Sequence, residues 1–124
     1  MESVPKGELT YQRGQIRWVR LDLTVGAEAQ KTRSCLIIQN DIMNQYDLLT
    51  VVIPFRPGSK QAPYTVNVKA TLTNGLDRDR FLDIAQIRAI DGQRVLELVG
   101  ILEEQYWQQI EAALNIVLGF IAPP

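Results

Sequence analysis

The sequence predicts a mainly β chain: a small barrel or curled sheet of roughly five or six short antiparallel strands, with one C-terminal amphipathic helix packed against it. Three observations carry this expectation. Short stretches alternate apolar and polar residues at period two. Turn pairs such as Asn74-Gly75 and Asp91-Gly92 punctuate them. Beyond Glu103 the apolar spacing changes to that of a helix.

The first strand, "QIRWVRLDL", runs from Gln15 to Leu23, with Ile16 and Trp18 on one side and Arg17 and Val19 on the other. A polar loop from Thr24 to Thr32 carries Gly26. The second strand, Ser34 to Gln39, is apolar enough to be central, and "NDIMNQY" after it reads as a connection with one helical turn. A β-branched strand from Leu48 to Phe55 is expected to halt at Pro54, before a second polar loop from Arg56 to Pro63. Tyr64 to Ala70 alternates again, Arg80 to Ile90 has strand character, and "RVLELV" is the last strand. From Glu103 to Phe120 the residues Tyr106, Trp107, Ile110, Ala113, Leu114, Val117 and Leu118 form a helical stripe, with Gly119 as its stop.

The chain has 124 residues, enough for a single domain spanning 1–124, with residues 1–12 polar and expected to be flexible. An apolar share of 46%, a charged share of 22% and a net charge of −1 are ordinary for a globular protein, so bulk charge points to no partner. No apolar run approaches a membrane span and no signal peptide is legible, which leads to the expectation of a cytoplasmic protein without a membrane partner. There is no histidine, so His-assisted nucleophiles and the usual zinc sites are ruled out, and no cofactor or metal is expected. The single cysteine, Cys35, sits in an apolar run and reads as a core residue. Asp22, Asp41, Asp83 and Asp91 are too scattered in sequence to read as a metal site.

One constellation can carry chemistry. If strands 34–39 and 48–53 pair antiparallel, Arg33 and Arg56 converge at one end, with Lys31 and Lys60 in the flanking loops. Two guanidiniums on a rigid sheet edge make an oxyanion or phosphate clamp. Glu28, in the first loop, is placed to orient an arginine or accept a proton. Gln86 and Arg88 share one face of a strand and line a groove or its wet side. The residues alone leave open the plainer reading, in which these cations are solvated loop charges. Trp18 and Trp107 read as core or dimer packing.

"RGQIRWVRLDLTVGAEAQKTRSCLIIQND", Arg13 to Asp41, resembles the opening of the MazF/PemK toxin family, and the likeness continues through "TVVIPF", "NGLDRDR", "QIRAID" and "NIVLGF". It covers about residues 13–120, and its specificity lies in the order and spacing of the motifs. The resemblance implies an SH3-like barrel of the MazF/CcdB type that forms a homodimer. It implies a sequence-specific, ribosome-independent and metal-independent endoribonuclease that cuts single-stranded RNA by attack of the 2′-hydroxyl. It also implies a MazE-like antitoxin that blocks the groove. The family arginine before the apolar strand falls on Arg33. With it, Arg56 and Glu28 are the candidate catalytic residues, and Lys31, Thr32, Lys60, Gln86 and Arg88 the candidate RNA-binding ones.

The chain departs from the family pattern at four places. Arg56 stands where the family has a threonine or serine, Ser34 replaces the usual proline after the arginine, alanines flank Glu28, and Ala85 replaces an acid. The alternative is therefore a catalytically altered or inactive binding protein on the same scaffold, either an antitoxin decoy or a CcdB-like toxin acting by protein contact.

Overall fold

The computed structural model describes residues 10–21, 26 and 31–123. Seven strands form one antiparallel sheet: β1 (Gln15–Arg20), β2 (Thr32–Ile37), β3 (Leu49–Pro57), β4 (Thr65–Val68), β5 (Arg80–Asp83), β6 (Arg88–Asp91) and β7 (Val95–Ile101). Two α-helices complete it, α1 (Asp41–Tyr46) and α2 (Trp107–Val117). The strand order is β4-β5-β3-β2-β1-β7, with β6 also pairing with β3. No ladder joins β4 to β7, so the predicted barrel takes its curled-sheet form. The nearest approach to closure is the Ile101 N–H donating to Thr73 O at 3.0 Å. Gly75 and Gly100 make that approach possible: a Cβ at Gly75 would fall 1.9 Å from Val99 O, and one at Gly100 would fall 2.3 Å from the Asn74 carbonyl.

The sheet is buried on both faces at its centre, which explains why the second half of β2, from Cys35 to Ile37, is apolar instead of alternating. One face carries Ile16, Leu36, Ile53, Phe55 and Leu82 and is covered by α2 through Ile110 and Ala113. The other carries Val19, Cys35, Ile37, Val52 and Ile90. Tyr11 joins this second core at 2% exposure, so the end of the stretch expected to be flexible is packed; residues 1–9 lie outside the described residues. Trp107 packs against the first core under the Arg13 guanidinium, 4.1 Å from the ring centroid. Trp18 is 40% exposed and is no part of either core, because its strand position faces the 75–80 loop and not α2.

Two expected boundaries move, and both changes shape the site. The stretch Arg80–Ile90 is not one continuous strand. A single 3-10 turn, Ile84–Gln86, divides it into β5 and β6. Both halves pair with the same edge of β3, Phe55↔Leu82 on one side of the break and Val52↔Arg88 on the other. Pro54 falls where both ladders are interrupted, so it is accommodated inside β3 and does not end it. The strand runs on to Pro57, and Arg56 lies on a strand, opposite Phe81, where a loop was expected.

The C-terminal helix is shorter than its apolar stripe, because Glu104–Tyr106 is a 3-10 turn leading into it. It ends as predicted at Gly119, whose φ of 80° permits two closing bonds. Phe120 N–H donates to Asn115 O at 2.8 Å and Gly119 N–H to Ile116 O at 3.1 Å.

Candidate functional site

Cross-strand partners in an antiparallel sheet point to the same face. The β1–β2 ladder pairs Arg17 with Cys35 and Val19 with Arg33. The β2–β3 ladder ends with Cys35 opposite Pro54, and alternation puts Arg33, two residues before Cys35, and Arg56, two residues after Pro54, on that same face. The β3–β6 ladder puts Arg88 opposite Val52. Arg17, Arg33, Arg56 and Arg88 therefore share one sheet face, the face of Cys35. Arg33 and Arg56 thus lie on one face of two neighbouring strands, and Arg56 is on a strand where a loop was expected.

Cys35 reports on this cluster. Burial pushes its thiol up to about 12, opposed by the fields of Arg88 and Arg33. Both cations thus act on the same buried sulfur, yet the thiol stays protonated, and it donates to Arg33 O at 3.7 Å. It is a core residue, as expected, and no nucleophile.

Arg56 is one-third exposed, and its NH1 lies 3.6 Å from Oδ2 of Asp83. The same oxygen accepts a hydrogen bond from Gln86 Nε2 at 2.9 Å. Asp83 and Gln86 flank the turn that splits β5 from β6, so the break in the strand delivers both to Arg56. Arg88 follows two residues later. Arg56, Gln86 and Asp83 are thus brought together, while Arg33 and Arg88 meet around Cys35 on the same face.

The remaining predicted residues lie further off. Lys31 is exposed with φ 64°, a left-handed conformation that costs a non-glycine residue about 1 kcal/mol or more. It stands at the entrance to β2, and its carbonyl accepts from Leu21 N–H at 2.8 Å. Thr32 is exposed and alternates onto the opposite face from Arg33, with Ser34 and Trp18. Lys60 sits beyond β4: its backbone N–H donates to Asn67 Oδ1 at 3.0 Å, and its ammonium lies 5.2 Å from the Tyr64 ring centroid. Asn67 opposes Phe81, which opposes Arg56, so Lys60 is at the far end of one row across the sheet. Glu28 lies outside the described residues.

Two participants were missed in the sequence. Arg17 shares the face but is fixed, its Nε donating to Leu96 O at 2.8 Å; burial lowers its pKa, and Glu97 opposes that shift. The period-two alternation of the first strand already placed it opposite Ile16 and Trp18. Asp83 carried no local signal, since its role depends on a partner 27 positions away in the chain.

A model of the PemK-like, MazF-like toxins of type II toxin–antitoxin systems matches residues 12–118. The chain belongs to this family. Consistent with that, it is 30% identical over 111 residues to the endoribonuclease EndoA of Bacillus subtilis (strain 168), a match covering 89% of this chain and 96% of the relative. It is 30% identical over 109 residues to the endoribonuclease MazF of Staphylococcus epidermidis, covering 87% and 91%. The fold is similar to that of MazF from Deinococcus radiodurans, with TM-score 0.74 and 21% identity, over 88% of this chain and 96% of that one. It is also similar to an endoribonuclease solved with its cognate antitoxin from a mycobacterial species, with TM-score 0.73 and 19% identity, over 92% and 100%. Among the described residues of this MazF/PemK-family chain, no helix is long and apolar enough to cross a membrane.

Proposed function

We propose that the chain is an endoribonuclease toxin that cleaves single-stranded RNA across the arginine face of the sheet, and that a MazE-like antitoxin holds it in check. The observation that carries this reading is the shared face of Arg33, Arg56 and Arg88 on β2, β3 and β6. The named activity of its relatives, endoribonucleases EndoA and MazF, supports it.

In the proposed mechanism the RNA 2′-hydroxyl attacks the adjacent phosphorus and the 5′-oxygen leaves. The products are a 2′,3′-cyclic phosphate and a 5′-hydroxyl. The pentavalent intermediate gains negative charge, and fixed guanidiniums stabilise it more than they stabilise the starting diester. Arg33 and Arg56 flank the scissile phosphate, Arg88 adds to the field, and Gln86 and Lys31 hold the strand. Thr32 and Lys60 contact RNA outside the reacting centre, and Glu28 takes the 2′-hydroxyl proton or orients Arg33. The requirement for a 2′-hydroxyl selects RNA over DNA, and a single strand can splay its bases for reading. No step calls for a metal or a ribosome. A homodimer is the assembly in which the groove is proposed to work.

The test is incubation of the purified protein with long single-stranded RNA of varied sequence in chelator, without ribosomes. Site-specific cuts with cyclic phosphate ends are expected. RNA that stays intact across all sequences would overturn the reading. The position of Arg56, paired with Asp83 where the family has a threonine or serine, favours a second reading: a binding protein without cleavage. It predicts antitoxin binding with intact RNA in the same assay.

A further inference from the structure

We infer that Asp83 is a positioning residue for Arg56 and Gln86, holding both for the phosphate as a single unit. The inference rests on the proposed RNA-cleaving function. Asp83 is the carboxylate that reaches into the arginine face from the break between β5 and β6. Its Oδ2 is shared, with Arg56 NH1 at 3.6 Å and Gln86 Nε2 at 2.9 Å, and its side chain is only 15% exposed. It makes no side-chain cap bond to the backbone of the 3-10 turn that follows, and its contact with that turn is the Gln86 side chain.

Electrostatics explains why such a group is needed. Arg56 shares its face with Arg17, Arg33 and Arg88, and like charges on a half-buried face push an unanchored guanidinium towards water. A counter-charge at the base of Arg56 opposes that. At 3.6 Å the ion pair is longer than a hydrogen bond, so it draws the guanidinium inward without a tight bidentate lock. A guanidinium carries five N–H donors, so one end can face Asp83 while others face a phosphate. The hydrogen bond from Gln86 fixes its amide with the nitrogen towards Asp83, tying the two groups into one element. Asp83 itself need touch no substrate.

The experiment is a double-mutant cycle on the full chain, read as kcat and KM for cleavage of a single-stranded RNA, with melting curves alongside. Asp83→Asn keeps the shape and removes the charge. It should lower kcat by about tenfold to a hundredfold, the scale expected for misplacing a group by an ångström, with KM nearly unchanged. Arg56→Ala should lower cleavage, and adding Asp83→Asn to it should cost nothing more. Wild-type kinetics for Asp83→Asn, or the same fold-loss with and without Arg56, would overturn the inference. If the wild-type protein cuts no RNA, the proposed function fails, and the pairing is then judged on binding of a 2′-O-methyl oligonucleotide. A change in affinity on Asp83→Asn that vanishes in Arg56→Ala supports it, and an equal change in both backgrounds overturns it.

Discussion

The two ends of β2 hold polar clusters built in opposite ways. Past its C-terminal end, Asn44 is fully buried, and every polar group around it is matched. Gln39 Nε2 donates to Asn44 Oδ1 at 2.9 Å and to Leu49 O at 2.9 Å; Thr50 Oγ donates to Asn44 Oδ1 at 2.7 Å; and Asn44 Nδ2 donates to Gln39 O at 3.0 Å. Asn40 caps α1 by accepting from Met43 N–H at 2.9 Å. At the N-terminal end, Arg33 is half-buried on a face with three other arginines, and the carboxylate that enters this group does so from β5. The amide cluster is fully hydrogen-bonded, with Asn44 Nδ2 also donating to Asp41 Oδ1 at 3.1 Å, as a structural network should be. The arginine face gathers four guanidiniums, with Asp83 beside Arg56 and Glu97 acting on Arg17, and such a face suits an anion.

Breaking the amide cluster should hurt folding and leave chemistry alone. Asn44→Ala strands Gln39 and Thr50, at a cost of about 1–3 kcal/mol for each buried group left unpaired. The expected result is a clear loss in denaturant midpoint with cleavage per folded molecule unchanged. A loss of cleavage without a loss of stability would erase the contrast between the two ends. Thr50→Val is milder, since Asn44 Oδ1 still accepts from Gln39, and about 1 kcal/mol is expected in the same titration.

The arginine face should respond the other way. Arg88→Ala should leave the melting temperature unchanged or higher, because it relieves repulsion. It should flatten the salt dependence of RNA binding by roughly 0.7 in the log–log slope, the value for one phosphate contact on a single strand. An unchanged slope would place Arg88 outside the RNA path.

The smallest effect belongs to Cys35. The folded thiol keeps its proton up to about 12, whereas the ordinary value is 9.0, so the unfolded chain deprotonates first. Its contribution to stability is full below 9.0 and declines as the pH rises towards 12. Alkaline unfolding of Cys35→Ala should therefore be less steep over that range than that of the wild type. Equal slopes would mean that the thiol is not held in the buried, protonated state described above.

Much of this was legible in the sequence, and the gaps have physical causes. Period-two alternation and the switch to a helical stripe identify the elements, because burial on one face selects residue type locally. The antiparallel pairing that puts Arg33 and Arg56 at one end of two neighbouring strands was legible, because it fixes which residues share an end. The break at Ile84–Gln86 was not, since "RFLDIAQIRAI" carries strand character throughout and the interruption is set by how two ladders share β3. Asp83 disappeared with it: an ion pair across the sheet leaves no local trace. Thr32 is next to Arg33 in sequence, yet adjacent strand residues face opposite ways, so the two lie on opposite faces. Asn40 and Asp41 read as the connection out of the second strand, and Asn40 caps α1 there, while Gln39, read as the strand's last residue, turns its amide to the buried cluster.

The central claim is that the arginine face carries the chemistry. Its most direct test is single-turnover cleavage of a long single-stranded RNA by Arg33→Ala, at a temperature where melting curves show variant and wild type equally folded. The account predicts a fall of about a hundredfold to a thousandfold in the rate, the cost of losing one donor to a developing oxyanion. A variant that cuts as fast as the wild type would contradict it.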